Sequence, residues 1–248
     1  MRNTLIAGNW KMNGTVANTE AFFKAFKLVP KEKVELLICP PFTALPITRF
    51  FLERSHAKWG AQNVYPEEKG AYTGEISPAM LKELGCSYVI CGHSERRQLL
   101  GESDELVARK VKAVLAYDMT PILCVGETEE ERKEGQTEER IGSEIKTALF
   151  DIDKKEIGKV VIAYEPIWAI GSGQAATAED AEAVSAFIRR TIKELAGKKA
   201  AEEVRILYGG SVKASNIESL LKEKDIDGAL IGGASLKAEE LLDIYNKV

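Results

Sequence analysis

The chain has 248 residues, 45% hydrophobic and 29% charged, with a formal net charge of −4. That is an ordinary globular composition with enough apolar content for a sizeable core, in one domain or two. No Lys/Arg stripe points to nucleic acid or an anionic membrane, so a negatively charged ligand has to be held by local geometry.

The N-terminal residues Met1–Asn9 turn polar too soon for a signal peptide, and no apolar run approaches a membrane span, so a cytoplasmic protein is expected. Eight short apolar runs then read as strands: Thr4–Gly8, Val34–Cys39, Lys58–Gln62, Tyr88–Cys91, Pro121–Val125, Lys159–Tyr164, Arg205–Tyr208 and Gly228–Ile231. Each is nearly continuous in hydrophobicity, as parallel strands covered on both faces should be. Successive runs start roughly 25–45 residues apart, one βαβ repeat each. Between them, Ser77-Pro78 offers an N-cap followed by proline at the first helical position. Thr177-Ala178-Glu179-Asp180 resembles a capping box ahead of Ala181, Val184, Phe187, Ile188, Ile192 and Leu195, which share one helical face. Ser215-Asn216-Ile217-Glu218 begins another helix, and the charge-rich Glu127–Arg140 reads as a solvated loop and helix start. The four cysteines lack a Cys-x-x-Cys pair, and neither of the two histidines lies near a cysteine pair, so buried free thiols are expected and a zinc site is not. With no linker composition anywhere, the pattern favours an α/β fold in one domain over residues 1–248. The expected architecture is a closed (β/α)8 TIM barrel, eight parallel strands surrounded by helices.

In such a barrel functional residues follow the strand C-termini. After the first run come Asn9, Lys11 and Asn13, placed to meet an anion or polarise a carbonyl, or else serving as turn residues beside a solvated lysine. After the fourth comes Gly92-His93-Ser94-Glu95-Arg96-Arg97. If His93 opens a helix, the N-terminal amides disfavour its protonated form, and a neutral imidazole can donate to a carbonyl oxygen; a structural histidine is the other reading. Glu95 and Arg97 either hold neighbouring groups or are surface charges. The sixth run ends in Tyr164-Glu165-Pro166-Ile167-Trp168-Ala169-Ile170-Gly171-Ser172-Gly173. Partial burial at a strand end raises the basicity of Glu165, and the apolar loop is suited to close over it; the alternative is a glutamate that merely ends a strand. The last two runs end in Gly209-Gly210-Ser211 and Gly232-Gly233, whose amides can approach an anion without Cβ interference.

Taken together, Ala7–Asn13, Gly60–Val64, Gly70–Ser77, Cys91–Arg97, Gly101–Glu105, Ala163–Gly173, Tyr208–Val212 and Gly232-Gly233 resemble the triosephosphate isomerase family along essentially the whole chain. The resemblance implies interconversion of dihydroxyacetone phosphate and D-glyceraldehyde 3-phosphate through an enediolate, in glycolysis and gluconeogenesis, with no metal or organic cofactor. Glutamate base, neutral histidine and loop closure are the family's known assignments. They imply that Glu165 moves the proton, His93 donates to the oxygens, and Lys11 and Asn9 stabilise the developing charge. Gly171, Ser211, Gly232 and Gly233 then grip the phosphate. The polar stretch Asn63–Glu75 resembles the family's dimerisation loop, implying a homodimer in which Thr73 inserts beside Asn9 and Lys11 of the partner; an exposed Ω-like loop fits its composition equally. The far hinge of the lid departs from the family pattern, reading Gln174-Ala175-Ala176 where Lys-Thr-Ala is usual, which puts lid kinetics in question. Another phosphate-binding barrel isomerase, with no reason to carry Asn9, Lys11, His93 and Glu165 together, is one alternative; a non-catalytic sugar-phosphate-binding barrel, which loss of Glu165 or Lys11 would favour, is the other.

Overall fold

Beyond their first residues the strands are buried on both faces, and this accounts for the unbroken apolar runs. Along the first strand, Leu5 and Ala7 point inward while Ile6 points outward. Inward residues such as Leu37, Ile90, Ile122, Ala163, Leu207 and Leu230 fill the centre, and outward ones pack beneath a ring of helices. Each fully buried Leu or Ile contributes about 1.5–3 kcal/mol. The computed structural model describes residues 2–170 and 176–248. Its strands are β1 (Thr4–Asn9), β2 (Val34–Cys39), β3 (Lys58–Ala61), β4 (Tyr88–Cys91), β5 (Thr120–Val125), β6 (Val161–Tyr164), β7 (Arg205–Tyr208) and β8 (Gly228–Ile231). They pair in parallel in chain order, and β8 closes on β1 with Ala7 opposite Leu230, so the sheet is a closed barrel with no free edge. Helices between successive strands cover it. The expected TIM-barrel architecture is the observed one.

Local chemistry explains the boundaries. β6 starts two residues later than the apolar run suggests, because Lys159 and Val160 donate back to Glu156 and Ile157 in the turn closing the helix Lys154–Ile157. β3 ends at Ala61, and the next residue, Gln62, spends its side-chain amide elsewhere. Ser77 caps the helix Pro78–Glu83 as the sequence suggests. Thr177 caps Ala178–Glu203 by accepting from the Asp180 amide; the reciprocal contact runs from the Thr177 hydroxyl to the Asp180 carboxylate, so only half of a capping box forms. Asn216 stands before the helix Ile217–Leu221 without capping it through its side chain. The four cysteines are buried free thiols; burial pushes Cys86 and Cys91 up to about 12. Among the described residues, no helix is long and apolar enough to cross a membrane.

Candidate active site

The strand C-termini open on one rim, around a cavity of about 670 Å³. Asn9, Lys11, His93, Glu165, Ser211, Gly232 and Gly233 all line it, coming from β1, β4, β6, β7 and β8. Gly171, and the hinge residues Gln174 and Ala175, lie outside the described residues; Ala176 is buried.

At the end of β1, the buried Asn9 carboxamide accepts the Lys11 amide at 3.0 Å. Lys11 itself has φ +52°, a left-handed conformation that costs a non-glycine residue of the order of 1–3 kcal/mol and needs support from its surroundings. Gln62 supplies part of it, its amide donating to the carbonyls of Lys11 and Cys39, both at 2.9 Å. The Lys11 ammonium then reaches Glu95, 2.5 Å away across the rim. Glu95 is therefore a holder of Lys11. Arg97 is also a holder, its side chain largely buried, donating to the carbonyls of Gly92 (2.7 Å) and Cys124 (3.3 Å) and pairing with Asp104.

His93 caps the helix Ser94–Leu100, its Nδ1 accepting the Glu95 amide at 3.2 Å. With Nδ1 an acceptor, the proton resides on Nε2, which donates to Glu165 Oε1 at 2.9 Å. In its neutral form the imidazole is therefore the Nε2-protonated tautomer, with its donor on Glu165. Burial alone lowers its pKa, but the charge and hydrogen bond of Glu165, with Glu95 behind, outweigh burial and leave the net shift upward. The helix N-terminus alone suggested the opposite direction, and the carboxylate in contact reverses it. Protonation at Nδ1 sets two donors, the ring and the Glu95 amide, against each other, while the Glu95 carboxylate 3.7 Å away favours the proton.

Glu165 is fully buried, and here too the sequence-based direction is corrected. Burial is the largest influence and raises its pKa. The His93 charge and hydrogen bond, the Ser94 amide at 3.0 Å and Lys11 together outweigh it, so the carboxyl sits below its ordinary value. Without the His93 and Ser94 contacts, burial alone would raise it. Two glycines make room for Glu165, one for its backbone and one for its side chain: a Cβ on Gly126 would lie 1.8 Å from the Glu165 carbonyl oxygen, and one on Gly209 would lie 2.9 Å from its Cγ.

At the end of the neighbouring strand, Asn216 shapes the turn after β7, donating to the Ser211 carbonyl (3.0 Å) and accepting the Lys213 amide (2.8 Å). Gly232 and Gly233 open a short 3-10 turn after β8, with a Cβ position on Gly232 only 3.5 Å from Lys11 Cε. The lysine thus passes between the glycine turns and the imidazole.

Two acidic residues escaped the sequence reading. Glu127 belongs to the stretch expected to be solvated, yet it is wholly buried. It accepts from Trp168 Nε1 (3.0 Å), the Tyr164 hydroxyl (3.1 Å) and Arg132 (3.1 Å), and the Arg132 guanidinium lies 4.7 Å above the Trp168 ring. This fastens the start of the loop that follows Glu165. Its position directly after β5, at a strand C-terminus, was the available signal. Glu144, on the helix Thr137–Leu149, is equally buried, with Gly126 and Arg140 as partners.

The triosephosphate isomerase family model matches residues 4–248. The triosephosphate isomerase of Dictyoglomus turgidum is 51% identical over 246 residues, covering 98% of this chain and 99% of that protein. The Clostridium tetani enzyme of the same name is 51% identical over 249 residues, covering 99% and 97%, and that of a Roseiflexus species 51% over 250 residues, covering 99% and 98%. A closed barrel with this rim, matched along nearly its full length, makes the chain a member of the triosephosphate isomerase family, and an isomerase.

Proposed function

We propose that the chain interconverts dihydroxyacetone phosphate and D-glyceraldehyde 3-phosphate by proton transfer through an enediolate, with Glu165 as the base. The observation that carries this reading is the buried Glu165 carboxylate 2.9 Å from His93 Nε2, on a ring whose Nδ1 already accepts the Glu95 amide. A proton next to a carbonyl is weakly acidic, so abstraction needs simultaneous stabilisation of the oxygens. A substrate carbonyl that takes over the His93 donor frees Glu165 from its partner, and burial then raises its basicity at the moment a base is needed. Lys11, with Asn9 beside it, meets the developing negative charge. The amides of Ser211, Gly232 and Gly233, together with Gly171, hold the phosphate. Proton shuttling of this kind calls on no metal or organic cofactor.

A barrel that only held a sugar phosphate would use the glycine turns and have no use for a buried carboxylate against an imidazole donor. The same reading makes the protein one cytoplasmic barrel domain of glycolysis and gluconeogenesis, working as a homodimer through the loop containing Thr73. A coupled assay of dihydroxyacetone phosphate turnover tests it. Replacing the base, Glu165→Gln, should lower kcat by about 10²–10⁴-fold with the fold intact; full activity in that variant ends the base assignment.

A further inference from the structure

Glu144 lies outside the cavity, 1% exposed, on the inner face of the helix Thr137–Leu149. Its Oε2 accepts the Gly126 amide at 2.9 Å, and its Oε1 sits 2.8 Å from Arg140 and 3.7 Å from Arg97. Gly126 and Arg97 lead on to the reacting groups. Gly126 packs against the backbone of Glu165, whose own amide donates to Val125 at 2.8 Å. Arg97 grips the Gly92 carbonyl, one residue before His93, and the Cys124 carbonyl on β5. A neutral amide at position 144 would accept from Gly126 equally well. A buried charge costs free energy, so its presence asks for a reason.

We propose that the ionised Glu144 carboxylate is a positioning residue for the isomerisation: through Gly126 and Arg97 it fixes Glu165 against His93, and its protonation slackens that pair. The inference rests on the isomerase reading above. The charges facing it form a closed set. Arg140 comes from its own helix and Arg97 from the helix Ser94–Leu100. Asp104, at the start of the helix Asp104–Ala116, is shared by both arginines, and Glu131 lies 3.8 Å from Arg140. The helical segment Ala178–Glu203, broken at Gly197, faces this side with the Phe187 ring, near Gly142, and its Arg190 pairs outward with Glu138. With Glu144 neutral, Arg97 is left with one carboxylate, Asp104, and shares it with Arg140. Burial pushes the Glu144 carboxyl up to about 7 against the pull of Arg97, Arg140 and the Gly126 amide, so both forms are populated near neutrality.

The test measures kcat and KM from pH 6 to 8.5 for the unsubstituted chain, Glu144→Gln and Arg140→Met. Titration of the substrate phosphate and of Glu165 is common to all three, so the ratio of unsubstituted to Glu144→Gln kcat isolates position 144. That ratio should be close to one at pH 6 and rise to about three- to tenfold at pH 8.5, the size expected for a small loss of alignment. KM should stay within about twofold, because the glycine turns after β7 and β8 make no contact with Glu144. Arg140, a third exposed, is replaceable without emptying the core. Arg140→Met removes a cation that favours the carboxylate and should move the kcat inflection of the otherwise unsubstituted chain to higher pH. A flat ratio, a change confined to KM, or an inflection unmoved by Arg140→Met overturns the proposal. If Glu144→Gln fails to fold, the Arg140→Met comparison decides alone. An active enzyme with a flat ratio refutes only the role of Glu144, whereas an unsubstituted chain inactive at every pH refutes the isomerase reading and this inference with it.

Discussion

The His93–Glu165 contact and the Glu144 carboxylate present the same problem, a charge held out of water, with opposite outcomes. Glu165 has a donor on each side and is held below its ordinary pKa, while Glu144 is raised to about 7 despite its arginines. For stability the sign of the second case is definite. A carboxyl whose native pKa exceeds its unfolded value binds its proton more tightly when folded, so the stabilisation it confers is complete below about 4.5 and lost as pH rises to about 7. Glu144→Gln does not titrate and should show no such loss. Urea unfolding at fixed protein concentration should find the variant similar to the unsubstituted chain at pH 4.5 and more stable by about 1–3 kcal/mol at pH 8. An advantage that shrinks with rising pH would contradict the shift. The combination expected at position 144, more stability and less activity, is what a charge kept for function produces.

At the scale of elements, the turn after β5 and the loop after β6 are fastened together by one residue. Glu127 receives three donors, and its main-chain carbonyl takes a fourth from Ile167 at 3.2 Å. Glu127→Ala leaves the Tyr164 hydroxyl and the Trp168 indole without their acceptor and Arg132 with Asp180 alone. It should cost about 3–5 kcal/mol, as removing one partner of a buried ion pair does. Trp168 fluorescence should shift to the red as the ring loses its seat, and kcat should fall with the loop unfastened; an unshifted spectrum would show that Trp168 is held by other contacts. The barrel strands were legible in the sequence because burial on both faces leaves an unbroken apolar run, and the rim followed from the rule that sites sit at strand ends. Glu127 and Glu144 were not legible. Glu127 opens a run of acidic residues, Glu129, Glu130 and Glu131, in which composition signals water, and its burial comes from Tyr164 and Trp168, some forty residues away. Glu144 lies on an amphipathic helix whose buried face is otherwise apolar, where a lone charge reads as exposed. The directions of the Glu165 and His93 shifts failed for a related reason: each was judged from its own segment, while the deciding charge was the other residue.

For the whole molecule the question is what completes the surface around β1. Residues 68–75 are exposed, on a loop whose base is tied by the Tyr65 amide to the Ile76 carbonyl at 2.8 Å and by Lys110 donating to Asn63 at 2.7 Å. Next to Lys11, Met12 is 96% exposed, and Leu99 and Leu100 end the helix that His93 caps with 77% and 64% of their surface open. Apolar side chains this exposed beside a strained functional residue are what an interface would cover. The proposed homodimer predicts a solution mass of twice 27.3 kDa at micromolar concentration. Shortening 68–75 to two glycines, which the tied base of the loop permits, should leave the barrel's circular dichroism intact and give a monomer. In that monomer Lys11 keeps its left-handed backbone only through Asn9 and Gln62, so its ammonium loses precise placement. Because a misplacement of about 1 Å costs roughly 10²-fold, kcat should fall by at least that factor while Glu165 and His93 keep their contact. Light scattering and turnover on the same sample decide between the outcomes. A shortened chain that remains dimeric would move the interface elsewhere, and a monomer with undiminished kcat would show that one barrel holds its own lysine in place.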